Sequence, residues 1–188
     1  MDKELQQKII DLVRKSIKEH LEEGEYLEVE EEDYPEEIFS EEAGVFVTLK
    51  IDGKLRGCIG NITSTITVLN SIIRNSIAAA FKDPRFPELT EEEFQGIKIS
   101  VSILTQPLEV NYSDTEKFIK FLETEQPGLI IRKGFRQATF LPSVWEEISD
   151  PEEFMKSLCK KADLPEDIWK SFKPGLEIES YESTIISE

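Results

Sequence analysis

One histidine in 188 residues is the first scarcity to weigh. It is His20, at the end of a charged, helix-like stretch, where a solvated helix-end residue is the simple reading; imidazole acid–base chemistry is left with one remote candidate. Cysteine is nearly as scarce. Cys58 and Cys159 stand about a hundred positions apart, which gives no disulfide framework and, with a single histidine, no standard zinc cluster. No apolar run approaches the ~18 residues of a membrane-spanning helix. The start, Met1-Asp2-Lys3-Glu4, has the wrong chemistry for a secretory signal. Basic residues number 22 against 39 acidic ones, a net charge of −17, so the clustered cations that nucleic-acid binding needs are missing. These absences point to a soluble, cytoplasmic chain with no membrane, nucleic-acid or metal partner.

The charge is unevenly spread. Residues 22–42 hold twelve Asp/Glu and no Lys or Arg, whereas 44–140 are close to neutral and 141–188 are acidic again. Tyr26, Leu27, Val29, Tyr34, Ile38 and Phe39 are set into the acidic run, so it reads as a docked connecting segment with an acidic surface. The length suits one domain, 1–188, able to bury a core and to divide into two sub-domains.

What is present centres on Leu55-Arg56-Gly57-Cys58-Ile59-Gly60. Before it, Val45, Val47, Leu49 and Ile51 alternate with Phe46, Thr48 and Lys50, a period-two strand, and Asp52-Gly53 signals a hairpin turn. A two-residue turn would pair Ile51 with Lys54. A three-residue turn would pair Ile51 with Leu55, Leu49 with Gly57 and Val47 with Ile59, giving one wholly apolar face. A slip of one residue carries every side chain across the sheet, so the amphipathic register, with its three-residue turn, is expected. Arg56 and Cys58 then share the mixed face with Thr48. Gly57 and Gly60 mark a bulge or a close backbone approach.

Elsewhere, residues 3–21 carry a helical apolar stripe of Leu5, Ile9, Leu12, Val13, Ile17 and Leu21. Thr63 to Thr65 offer N-caps for a helix reaching about Lys82. Asp83-Pro84-Arg85-Phe86-Pro87-Glu88-Leu89 ends it in a loop pinned by two prolines, which presents Arg85 and Phe86. Thr90 to Glu93 and Ser113 to Glu116 read as capping boxes. Residues 97–103 form a half-polar strand, and 129–141 a hairpin turning near Lys133-Gly134 with a basic tip of Arg132, Lys133 and Arg136. Asp150-Pro151 opens a helix, Pro165 to Phe172 a short one, and Ile178 to Ile186 is a final strand. Hairpins and helices without a strict βαβ rhythm indicate an α+β fold with a largely antiparallel sheet flanked by helices.

The hexapeptide resembles the signature of the AMMECR family, named for a human protein linked to Alport syndrome with midface hypoplasia and elliptocytosis. Gly44 to Leu49 resembles the strand leading into it, and Asp83 to Leu89 the family's proline-pinned loop. Gly128 to Ile131 with Ala138 to Pro142 resembles its second hairpin, and Leu158 to Ala162 its C-terminal helix. The chain departs from the pattern at Asp163, where Gly is commoner, and in the acidic run. The resemblance implies two unequal lobes with the hexapeptide near the cleft between them. It also implies an association with Memo-like and radical-SAM proteins, and no established activity or cofactor.

Two readings of Cys58 stand side by side. It is a nucleophile, with Arg56 as the cation that favours a thiolate, or a small packing residue with Arg56 tied to a carboxylate. Arg56 and Arg85 either clamp a carboxylate or phosphate, or Arg85 pairs with Asp83 or Glu88 and fastens the loop. Thr48, Gly57, Gly60, Arg85 and Phe86 complete the candidate binding set. The function is then action on, or binding of, a small anionic or protein-borne substrate, with a non-catalytic adaptor surface as the alternative. Cys159, beside a helical core stripe, reads as packing.

Overall fold

The structure, a computed structural model, describes residues 1–112, 114–171 and 175–188. It is α+β, with antiparallel strand pairs in two four-stranded sheets where one sheet is expected from the sequence. The packing divides the chain into two units: Met1–Leu104 with Thr184–Glu188, and Thr105–Ser183.

In the first unit, helix α1 (Lys3–Glu23) starts where the Asp2 carboxylate accepts from the Leu5 N–H at 2.9 Å. It stops at Gly24, whose φ of +76° suits a residue without Cβ. The acidic run is docked: helix α2 (Glu37–Ser40) buries Phe39, and Leu27, Val29, Tyr34 and Ile38 pack against the same core. Strands β1 (Gly44–Ile51) and β2 (Lys54–Asn61) form the hairpin. Helix α3 (Val68–Phe81) follows, then α4 (Glu91–Phe94) and β3 (Lys98–Leu104). Val45, Val47, Leu49, Ile99, Val101 and Ile103 form the buried face of this sheet, in one core with residues of α1 and α3.

The hairpin corrects the expected turn. Ile51 pairs with Lys54, so the turn has two residues, and Asp52 and Gly53 both take positive φ (50° and 76°), the backbone that matches the strand twist. The extra residue sits instead in a β-bulge. Lys50 faces Leu55, but Leu49 faces Gly57, so Arg56 is the residue left over. Beyond the bulge the register is the amphipathic one, with Val47 opposite Ile59 and Thr48 opposite Cys58. The favoured turn and the favoured face are both satisfied because the bulge absorbs the mismatch.

A second correction concerns α3, which Thr67 caps in place of Thr63 to Thr65. Its hydroxyl accepts from the Asn70 N–H at 3.3 Å. Thr67 is held extended by a bridge to Glu42, while Ser64 is spent on a turn, accepting from the Ile66 N–H at 3.1 Å.

In the second unit the order is β4 (Leu108–Glu109), α5 (Thr115–Glu125), β5 (Gly128–Lys133), β6 (Arg136–Phe140), α6 (Pro151–Lys161) and β7 (Glu177–Tyr181), and the sheet runs β4-β7-β5-β6. Its core holds Phe118, Leu129, Trp145, Phe154, Leu158, Cys159 and Trp169. Asp114 caps α5 through the Glu116 N–H, while Ser113 of the expected capping box lies outside the described residues. A 3-10 turn, Ile168–Ser171, stands where a short helix is expected, and Phe172 of that stretch is likewise outside them. The expected last strand is two strands, β7 and β8 (Ser183–Ser187), in different sheets; β8 completes the order β2-β1-β3-β8. Thr105 separates them by pinning Glu182, whose N–H reaches the Thr105 hydroxyl at 2.9 Å and whose C=O accepts from the Thr105 N–H at 3.0 Å.

Candidate functional site

β2 is an edge strand, and an edge leaves every second residue's N–H and C=O without a strand partner. At Cys58 the proline-pinned loop supplies the partner with side chains. Asp83, almost fully buried, accepts from the Cys58 N–H at 2.9 Å, and Arg85 Nη2 donates to the Cys58 C=O at 3.1 Å. The two side chains are locked to each other. The Asp83 carboxylate accepts from the Arg85 N–H (3.1 Å), Nε (2.9 Å) and Nη2 (2.6 Å). Arg85, foremost, and the backbone N–H groups of Cys58 and Arg85 hold the Asp83 carboxyl well below the usual carboxylate range. The Arg85 guanidinium is held above its ordinary pKa, first by Asp83 and, among lesser causes, by its nearness to the Cys58 sulfur.

Cys58 is part-buried, and its Sγ accepts from the Thr48 hydroxyl at 3.3 Å. Thr48 also pairs across the sheet with Ser100 on β3, so a thiol and two hydroxyls form one row on the face away from α3. In the next row Phe46 stands between Gly60 and Ser102. The sequence marks Ser100 only as one of several polar residues alternating along its strand; its alignment with Cys58 needs both registers.

Arg56 is placed differently from Arg85. Only 8 % exposed, it makes a bidentate pair with Glu93, Nε to Oε1 and Nη2 to Oε2, both at 2.9 Å, and Nη2 also reaches the Glu88 C=O at 3.2 Å. Glu93 belongs to the expected capping box, its carboxylate accepting from the Thr90 N–H at 3.0 Å while its own N–H reaches the Thr90 hydroxyl. Arg56, foremost, and Thr90 hold the Glu93 carboxyl down at about 2. The cation beside Cys58 is therefore Arg85, whose side chain is 53 % exposed. Phe86 lies against both arginines, with ring centroid to guanidinium distances of 5.9 Å for Arg56 and 5.5 Å for Arg85.

The two glycines of the hexapeptide meet protein atoms. A Cβ on Gly57 would stand 2.0 Å from the Ala79 C=O of α3, and one on Gly60 2.4 Å from the Phe46 ring. The small residues let α3 and Phe46 close onto β2. His20 is engaged elsewhere, with Nδ1 3.1 Å from the Glu25 C=O and its ring 4.7 Å from that of Phe81. Cys159 is fully buried in the second unit, where burial pushes its thiol up to about 11. No group of three or more His, Cys, Asp or Glu among the described residues is arranged to hold a metal, and no helix among them is long and apolar enough to cross a membrane.

A family model described as AMMECR1 matches residues 10–186. The protein MK0488 of Methanopyrus kandleri is 37 % identical over 188 residues, 96 % of this chain and 86 % of that one. MJ0810 of Methanocaldococcus jannaschii is 39 % identical over 160 residues, covering 84 % and 78 %. The crystal structure of the uncharacterized protein PH0010 from Pyrococcus horikoshii superposes with a TM-score of 0.84 at 31 % identity, over all of this chain and 93 % of that one. The hexapeptide and the proline-pinned loop thus sit in a chain that belongs to the AMMECR1 family.

Proposed function

We propose that the face carrying Cys58, Thr48 and Ser100 takes a small anionic or protein-borne substrate, with Arg85 as its charged contact and Phe86 beside it. The observation that carries this reading is the fixing of Arg85. A buried carboxylate orients a half-exposed guanidinium onto the backbone C=O of the part-buried Cys58, so a carboxylate or phosphate arriving at that residue meets a cation that has little freedom left to lose. Arg56 is a positioning residue in this scheme. Its pair with Glu93 ties the bulge of β2 to α4, and its ring contact supports Phe86. Cys58 and Thr48 face the ligand as thiol and hydroxyl. With His20 engaged on α1, no imidazole serves them as a base, so binding is the part of the reading that the geometry supports.

The test is alkylation of the native protein with iodoacetamide. Cys58 is expected to label in the folded state while Cys159 labels only on unfolding, and Arg85→Ala is expected to change the Cys58 rate more than Arg56→Lys does. If Cys58 and Cys159 label together, at the unfolding rate, Cys58 is a packing residue. The same face would then serve as a non-catalytic docking surface at most.

A further inference from the structure

The second hairpin ends in an aromatic residue with nothing to rest on. β5 and β6 pair as far as Lys133 and Arg136, so the turn is Gly134-Phe135 alone. Gly134 has φ +61°, and Phe135 is not among the positive-φ residues, the pattern of a type II′ turn. So tight a turn holds the Phe135 ring at the tip, where it is as exposed as in an extended peptide. Lys133 and Arg136 flank it. Single exposed apolar residues are common, but an aromatic anchor between two cations on a chain of net charge −17 has the composition of an interface centre, where aromatic and Arg side chains concentrate.

A receptor of the opposite character exists on the chain itself. In the first unit a cavity of about 230 Å³ is lined by Tyr34, Pro35, Phe39 and Leu69, with Glu31 and Glu36 at its polar side. That is below the ~300–1,000 Å³ of ordinary small-molecule pockets; it is the scale of one inserted side chain. Lys8 occupies Glu36 at 2.8 Å, but the 3-10 turn Glu31–Asp33 beside it presents three exposed acids.

We infer that the Phe135 tip of one copy docks into this acidic, aromatic-lined cavity of a second copy, with Lys133 and Arg136 against the Glu31–Asp33 turn. A second copy is favoured over an anionic bilayer because the cavity offers complementary charge and an apolar floor together, at the size of one side chain, which a bilayer surface does not. The contact joins two different patches, so it is heterologous and repeats from copy to copy unless it closes on itself. It is independent of the role proposed for Cys58.

The experiment is sedimentation of the full chain over a range of concentrations, with three surface variants. Reversible self-association is expected in the wild type. Phe135→Ala should weaken it by at least about tenfold, and Lys133→Glu and Glu31→Lys should each weaken it. An equimolar mixture of those two charge variants should associate more tightly than either alone, since each tip then meets a cavity of opposite sign. A wild type that stays monomeric to millimolar concentration overturns the proposal. So does Phe135→Ala associating like the wild type, or a mixture no tighter than its components.

Discussion

Replacing Asp83 is the sharpest test of the loop's role. Its carboxylate serves the Cys58 N–H and three donors of Arg85. Asp83→Ala leaves the Cys58 N–H on the free side of β2 without its acceptor, a loss of about 1–3 kcal/mol for a donor withdrawn from water. The bonds to Arg85 add little, about 1 kcal/mol at most, because a guanidinium with half its surface exposed turns to water instead. The expected total is a destabilisation of about 1–4 kcal/mol. Asp83→Asn keeps one acceptor oxygen and should cost roughly half as much. Urea unfolding at neutral pH measures both, with the midpoint falling and the slope unchanged. Amide exchange localises the effect. Protection of the Cys58 N–H should drop more than that of Ile59, whose backbone, by strand alternation, faces β1. A loss below about 0.5 kcal/mol with Cys58 protection intact would show that the loop is held by something other than Asp83.

Gly57→Ala should cost at least about 2 kcal/mol by urea unfolding, since its Cβ would stand 2.0 Å from the Ala79 C=O and α3 would have to move. Asp163→Gly should stabilise the chain by about 0.5–1 kcal/mol in the same assay, because Asp163 holds φ +55° after α6, where Gly is unstrained; its exposed ion pair with Arg136 offsets little. Glu93, whose folded pKa of about 2 lies below its ordinary value of 4.5, stabilises the fold at neutral pH, and that contribution is lost as pH falls from about 4.5 through 2. Its side chain is 35 % exposed, so the contribution is about 1 kcal/mol; Glu93→Gln should flatten the acid limb of a stability–pH profile by that amount.

The sequence carried the fold class through its caps and periods. Thr90 to Glu93 closes a capping box, Asp150 caps α6, and β1 alternates as its residues require. The departure at Asp163, which the family resemblance marked, falls where α6 ends in paired bonds, Leu164 N–H to the Cys159 C=O and Asp163 N–H to the Lys160 C=O, which place a left-handed residue where Gly is the usual choice. Gly57 marked a bulge or a close approach, and both are there: Arg56 beside it is the bulged residue, and α3 closes onto Gly57. The turn length was not legible, because two preferences conflicted at Asp52-Gly53 and at the apolar face, and a sequence does not show that one extra residue can satisfy both. The partners of the two arginines were open for a related reason. Either could meet a carboxylate or a ligand, and only the path of the loop along β2 gave Arg85 to Cys58 and Arg56 to Glu93. The break between β7 and β8 rests on Thr105, nearly eighty residues away in the chain.

The central claim is that Arg85 presents a fixed positive charge beside Cys58. It is tested by alkylating Cys58 with two reagents of similar size and opposite electrostatics, anionic iodoacetate and neutral iodoacetamide. A cation about 4 Å from the incoming carboxylate is worth about 1 kcal/mol even at the dielectric constant of water. The iodoacetate-to-iodoacetamide rate ratio at Cys58 in the native protein should therefore fall about fivefold on Arg85→Ala and stay nearly constant on Arg74→Ala, an exposed residue of α3 on the other side of the sheet. An unchanged ratio in Arg85→Ala would contradict the account, because no oriented charge would then be acting on what approaches the thiol.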